Sequence, residues 1–89
     1  MANHNHFVIR NDLSKSLTLF IEPEGALFPL GKGEAVSVTD VFTMAPVTVR
    51  VSSSDNGDPI VSIWPGDGDV RVEKDGIDVL DLIQNGAGV

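Results

Sequence analysis

The chain has 89 residues, no cysteine, and a formal net charge of −7 from 13 acidic and 6 basic side chains. This length predicts one domain, and the acid excess argues against nucleic acid as a partner, because phosphate binding needs a basic face. The absence of cysteine excludes disulfides and cysteine zinc sites, and we expect a cytoplasmic location.

Alternating apolar and polar residues predict a series of short strands. In chain order they cover residues 6–10, 17–22, 26–30, 34–40, 47–52, 60–64, 70–74 and 77–82. The third contains Pro29 and is expected to be an edge strand or an extended loop. Seven or eight such strands predict an all-β fold, a small antiparallel β-sandwich or barrel, with at most one helical turn at 80–85.

The two ends of the chain carry no strong signal. The N-terminus lacks the pattern of a secretion signal, and no apolar run approaches ~18 residues, so neither a cleaved signal nor membrane contact is expected. We therefore predict a single β domain over residues 1–89, with flexible ends at residues 1–5 and 84–89.

An Asp-Gly pair at 75–76 predicts a tight hairpin with a two-residue type I′ turn. This turn places Glu73 opposite Asp78 and Val72 opposite Val79. The paired valines favour this register, whereas the paired acids indicate a face that is open to solvent.

The sixth predicted strand is apolar on both faces, and the turn before it decides which face is buried. A two-residue loop at 56–57 pairs Val49 with Trp64 and buries the tryptophan. A three-residue loop at 55–57 pairs Val49 with Ile63 and turns Trp64 outward. Both registers remain open at this level, and each leaves large apolar side chains on the second face.

This strand supplies the main functional hypothesis, an apolar interaction patch. Its candidate residues are Trp64, Val61 and Ile63, together with Phe20 on the polar side of the second strand. Exposed apolar patches mark interfaces, and tryptophan is enriched in binding hot spots. We expect a non-catalytic structural or interaction module that forms a homo-oligomer or binds a protein partner. The alternative is a strand covered on both sides, with Trp64 in the core.

Acidic turns offer a weaker alternative, a cation or small-ligand site. Asp67 and Asp69 flank Gly68 in a pattern like the start of a calcium loop. The next ligand position is Arg71, so the EF-hand pattern fails. These residue types are also those that tight turns require.

Catalytic chemistry has little support in the sequence. The only histidines, His4 and His6, lie at the N-terminal end, and no third metal ligand accompanies them. Cysteine and tyrosine are absent, and the body of the chain has no histidine. We expect no enzyme activity, no cofactor and no metal site.

Three segments resemble a group of short bacterial all-β proteins. Residues 17–25 match L-x-L-x-x-E-P-x-G, residues 33–38 match G-[ED]-x-V-x-V, and residues 61–64 match V-x-[VI]-W, followed by glycine at 66. The resemblance covers most of the chain and implies a stand-alone bacterial β domain. The group has no assigned activity, so it implies no functional residues.

Overall fold

A computed structural model describes residues 2–84 as a β-sandwich of two four-stranded sheets, which confirms the all-β prediction and selects the sandwich over the barrel. The elements are β1 (Asn3–Arg10), β2 (Leu17–Ile21), β3 (Ala26–Leu30), β4 (Ala35–Phe42), β5 (Thr48–Ser53), β6 (Pro59–Trp64), β7 (Asp69–Lys74), β8 (Ile77–Asp78) and α1 (Val79–Gln84). The first sheet has the strand order β1-β4-β7-β8, and the second has the order β3-β2-β6-β5.

The core lies between the sheets and is built mainly from every second residue of the central strands, with Leu30 of the edge strand β3 and Val79 of α1 added to them. Its buried apolar side chains are Leu17, Leu19, Ile21, Leu30, Val36, Val38, Val61, Ile63, Val72 and Val79. Burying one such side chain contributes roughly 1.5–3 kcal/mol relative to leaving it in water. The alternation seen in the sequence is therefore the alternation between the core and the outer faces.

The first strand begins earlier than predicted. β1 starts at Asn3 rather than at residue 6, so residues 3–5 of the expected flexible end belong to a strand. They pair with residues 40–42 of β4, which itself extends two residues beyond the predicted end. Each extension supplies the other with hydrogen-bond partners. The flexible end predicted at 84–89 lies outside the described residues except for Gln84, where α1 ends.

The C-terminal hairpin confirms the predicted turn but not the predicted last strand. Asp75 and Gly76 both have positive φ, at 53° and 82°, as a type I′ turn requires. Glu73 pairs with Asp78 as predicted, but a strand beyond residue 78 is wrong because α1 begins at Val79. Asp78 explains the change, since its Oδ1 accepts a 2.9 Å hydrogen bond from Leu80 N–H and caps the helix.

One strand pair differs from the expected antiparallel arrangement. β2 and β6 are neighbours in the second sheet and run parallel, with Phe20 opposite Ser62. Parallel neighbours cannot be joined by a tight turn and need a long crossover connection. Here the chain between β2 and β6 includes β4, which belongs to the other sheet. No short sequence pattern therefore predicts that β2 pairs with β6.

The loop between β5 and β6 resolves the open register. Gly57 has a φ of 81°, and its N–H donates to Ser54 O at 2.9 Å. The loop therefore has three residues, and Val49 pairs with Ile63. This is the register that turns Trp64 outward.

Candidate functional site

The second sheet separates the four predicted interface residues onto opposite faces. Ile63 is fully buried, at 0% exposure, and Val61 is buried beside it in the core. Assigning these two to a surface patch was therefore wrong. The register of β6 is the reason, because it sends alternate residues inward. Phe20 and Trp64 lie on the outer face, and Trp64 is 39% exposed.

Phe20 and Trp64 belong to an apolar strip that crosses three strands. Leu27 of β3 lies directly opposite Phe20 of β2. Phe20 lies opposite Ser62 of β6, so Ile60 and Trp64 are its diagonal neighbours on the same face. We call Leu27, Phe20, Ile60 and Trp64 the outer strip. Leu27 is 53% exposed, so the strip is open to solvent.

Sequence reasoning missed two residues of the outer strip, Ile60 and Leu27, and Leu27 lies in the third predicted strand. Pro29 made its segment ambiguous between a strand and a loop, and no face was assigned to it. The sequence carries no period-two signal there, because all five residues of ALFPL are apolar and only the structure shows which of them face outward.

The second sheet also differs from the first in charge. Its four strands contain no acidic residue, and Arg50 is their one charged residue. The strands of the first sheet carry Asp40, Asp69, Glu73 and Asp78. In a chain of net charge −7 the outer strip thus lies on a sheet free of acid.

Asp67, a candidate cation ligand, is engaged with the backbone. Its Oδ1 accepts a hydrogen bond from Thr43 N–H at 2.9 Å, and its Oδ2 accepts from Met44 and Ala45 N–H at 2.8 and 3.0 Å. These hydrogen bonds to the ionised form hold the pKa of Asp67 below its usual value. The carboxylate therefore fastens residues 43–45 and is not a free ligand.

Two glycines allow this fastening. A Cβ at Gly66 would overlap the carbonyl oxygen of Ala45, and a Cβ at Gly68 would overlap the carbonyl oxygen of Val41. The turn from Gly66 to Gly68 therefore lies directly against the chain that leaves β4. Asp67 and Gly68, two of the residues that resemble the start of a calcium loop, take part in this contact.

Asp69, the other candidate, lines a cleft of about 410 Å³ at one end of the sandwich. Its other lining residues are Ile21, Glu22, Pro23, Glu24, Ile63, Pro65, Gly68 and Val70. The lining combines three acidic side chains with apolar ones and includes no basic residue. Among residues 2–84 no three His, Asp or Glu side chains are placed to hold a metal ion.

Asp40 is a buried carboxylate that the sequence reading did not single out. It continues the inward positions of Val36 and Val38 on β4 and is fully buried. Its Oδ2 accepts hydrogen bonds from Val47 N–H at 2.8 Å and from the Asn5 side-chain amide at 3.4 Å. Its Oδ1 has no partner within the part of the chain that the structure describes. Asp40 thus ties β1 and the segment before β5 to the core.

No helix within residues 2–84 has the length and apolar character to cross a membrane. Comparison of the chain with protein-family models, with curated proteins and with solved structures found no match.

Proposed function

We propose that this protein is a non-catalytic interaction module that self-associates through the outer face of its second sheet. The observation that supports this most directly is the outer strip, an apolar band with Leu27 and Trp64 exposed. Apolar side chains grouped in this way on a surface mark interaction sites. Trp64 and Phe20 would be the anchors, and the neighbouring Thr18 would lie at the polar rim.

Charge favours a second copy of the same chain as the occupant. Two molecules of net charge −7 repel each other most where acidic side chains approach within a Debye length, about 8–10 Å at moderate salt. The strands of the second sheet present no acid, so contact through this face keeps like charges apart. The first sheet, with acids along β7, lacks this property.

The test is the solution mass of the wild type and of strip variants by size exclusion with light scattering. We expect the wild type to exceed the 9.5 kDa of one chain, and Leu27→Lys and Trp64→Lys each to lower that mass at equal concentration. Removing a hot spot worth about 2 kcal/mol raises a dissociation constant roughly 30-fold.

Val8→Lys is the matched control, because Val8 is a 60% exposed valine on a strand of the first sheet. This variant should keep the wild-type mass. A wild type that stays at 9.5 kDa from micromolar to millimolar concentration would refute self-association, as would strip variants of unchanged mass.

The cleft favours a second candidate function, the binding of a small organic cation. Glu22, Glu24 and Asp69 would attract an ammonium group, while Ile21 and Val70 would contact its alkyl chain. At 10 mM butylamine hydrochloride a site of millimolar affinity stabilises the fold by about 1.4 kcal/mol. We expect a rise in Tm that 10 mM NaCl does not reproduce and that Glu22→Gln with Asp69→Asn removes. Equal Tm in the two salts would refute this candidate.

A further inference from the structure

The edge of the second sheet at β5 is open. β5 is the terminal strand of its sheet and pairs with β6 alone. Helix α1 contacts β3, β7 and β8 and so closes the opposite side of the sandwich. No hydrogen bond from the described residues reaches the free edge of β5. Natural edge strands are usually protected by charged side chains, proline, bulges or a covering segment, and β5, with the sequence TVRVSS, has only the single charge of Arg50 and no proline.

The hairpin geometry identifies the backbone groups on this edge. Ser54 N–H donates to Asp58 O at 2.8 Å, so Ser54 directs its backbone groups toward the neighbouring chain segment. Along an antiparallel pair successive residues alternate between facing the partner strand and facing away from it. Val49, Val51 and Ser53 therefore direct their N–H and C=O groups to the open edge.

The apolar side chains on this edge are also left uncovered. Val51 is 78% exposed although its face of the sheet is the core face, where its pair Val61 is buried. Val49, also on this face, is exposed as well. β5 thus extends past the cover provided by the first sheet, and its inward valines contact solvent.

We propose that two copies of this chain pair β5 with β5 in antiparallel orientation, forming one continuous eight-stranded sheet about a two-fold axis. The occupant is a second copy because the edge is free of acid in a chain of net charge −7. Antiparallel pairing about a two-fold axis is also self-complementary, so each strand offers the groups that the other needs.

The register follows from Arg50. Residues opposite each other across the pair must lie on the same face of the sheet. In the two registers whose two-fold axis lies nearest the centre of β5, either Arg50 or Val51 is therefore opposite its own copy. The first sets two like charges directly against each other, which destabilises the pair. The second places Val51 against Val51 of the second copy and Arg50 against a serine. In that register Val51 exchanges two hydrogen bonds with its copy, and Val49 exchanges two with Ser53 on each side of the axis.

This inference goes beyond the proposed function because it uses the edge of the sheet, whereas the proposed function uses its outer face. Edge pairing leaves the outer strips of the two copies on the same side of the joined sheet. A Leu27→Lys background removes the face contact and isolates the edge contact, so failure of either proposal can be recognised separately.

The first experiment compares masses in this background. We expect Leu27→Lys to retain the mass of two chains, Leu27→Lys with Val51→Lys to fall to the 9.5 kDa monomer, and Leu27→Lys with Val8→Lys to keep two chains. Two lysines facing each other across the axis should raise the dissociation constant roughly 100-fold, because like charges brought together in an interface repel strongly. A Leu27→Lys protein that is monomeric at 1 mM, or a dimer that Val51→Lys leaves intact, would overturn the edge dimer.

The second experiment tests the register by cross-linking, which the absence of cysteine makes specific. Hydrogen-bonded opposite residues have Cα atoms about 5.5 Å apart, within disulfide range. We expect Val51→Cys to form a cross-linked dimer with oxidised glutathione and Val49→Cys to remain uncross-linked, since Val49 lies opposite Ser53. Faster cross-linking of Val49→Cys than of Val51→Cys would overturn the proposed register.

Discussion

Replacing Ile63 by alanine is expected to lower the free energy of unfolding by about 2–5 kcal/mol. Ile63 is fully buried between the sheets, so the truncation removes apolar contacts and leaves a cavity that its neighbours cannot fill completely. In a domain of this size the loss corresponds to a fall in Tm of at least about 8 °C. Urea or thermal unfolding at micromolar concentration measures it.

The adjacent residue provides the control. Trp64→Ala removes a larger side chain but one on the outer face, where Trp64 pairs with Thr48 and no closed cavity remains. We expect a loss of about 0.2–1 kcal/mol, the range for cross-strand pairs. A greater loss for Trp64→Ala than for Ile63→Ala would contradict the register of β6 and return Trp64 to the core.

The second large effect is expected at Asn11, a buried polar residue between β1 and β2. Its side-chain amide donates to the carbonyls of Lys15 and Leu30 at 2.9 Å each, and its Oδ1 accepts from Leu13 N–H at 2.9 Å. Its backbone also exchanges hydrogen bonds with Glu34 and Gly33, so one residue joins two turns and the end of β3.

Asn11→Ala leaves three backbone groups without this partner, and we expect a loss of about 2–4 kcal/mol. Asn11→Asp retains the acceptor for Leu13 N–H but loses both donated bonds, so its Tm should also fall. Asn56→Ala, in an exposed loop, should change Tm little. Equal Tm for Asn11→Ala and Asn56→Ala would show that Asn11 does not hold these turns together.

Sequence reasoning identified the two aromatic residues of the outer strip, but it did not identify the complete set of residues that form the strip. Phe20 was recognised because it interrupts the polar face of β2, and Trp64 because it ends a strand apolar on both faces. Val61 and Ile63 were included because periodicity alone does not say which face of such a strand is covered. Leu27 joined the site only through its pairing with Phe20.

The acidic turns show the same limit. Asp67 and Asp69 are separated by one glycine, and a sequence pattern treats them alike. The structure gives Asp67 three backbone donors that lie 22 to 24 residues away in the chain, whereas Asp69 lines the cleft. Only the approach of β4 to the turn before β7 distinguishes a fastening carboxylate from a free one.

The sequence by itself determined the features that depend on a few neighbouring residues. These are the strand periodicity, the type I′ turn at Asp75 and Gly76, and the lack of a long helix among residues 2–84. Tertiary structure alone decided the parallel pairing of β2 with β6, the outward turn of Trp64 and the burial of Asp40. The physical reason is that alternation, turn propensity and charge are local, whereas register and strand order depend on which distant strands share one core.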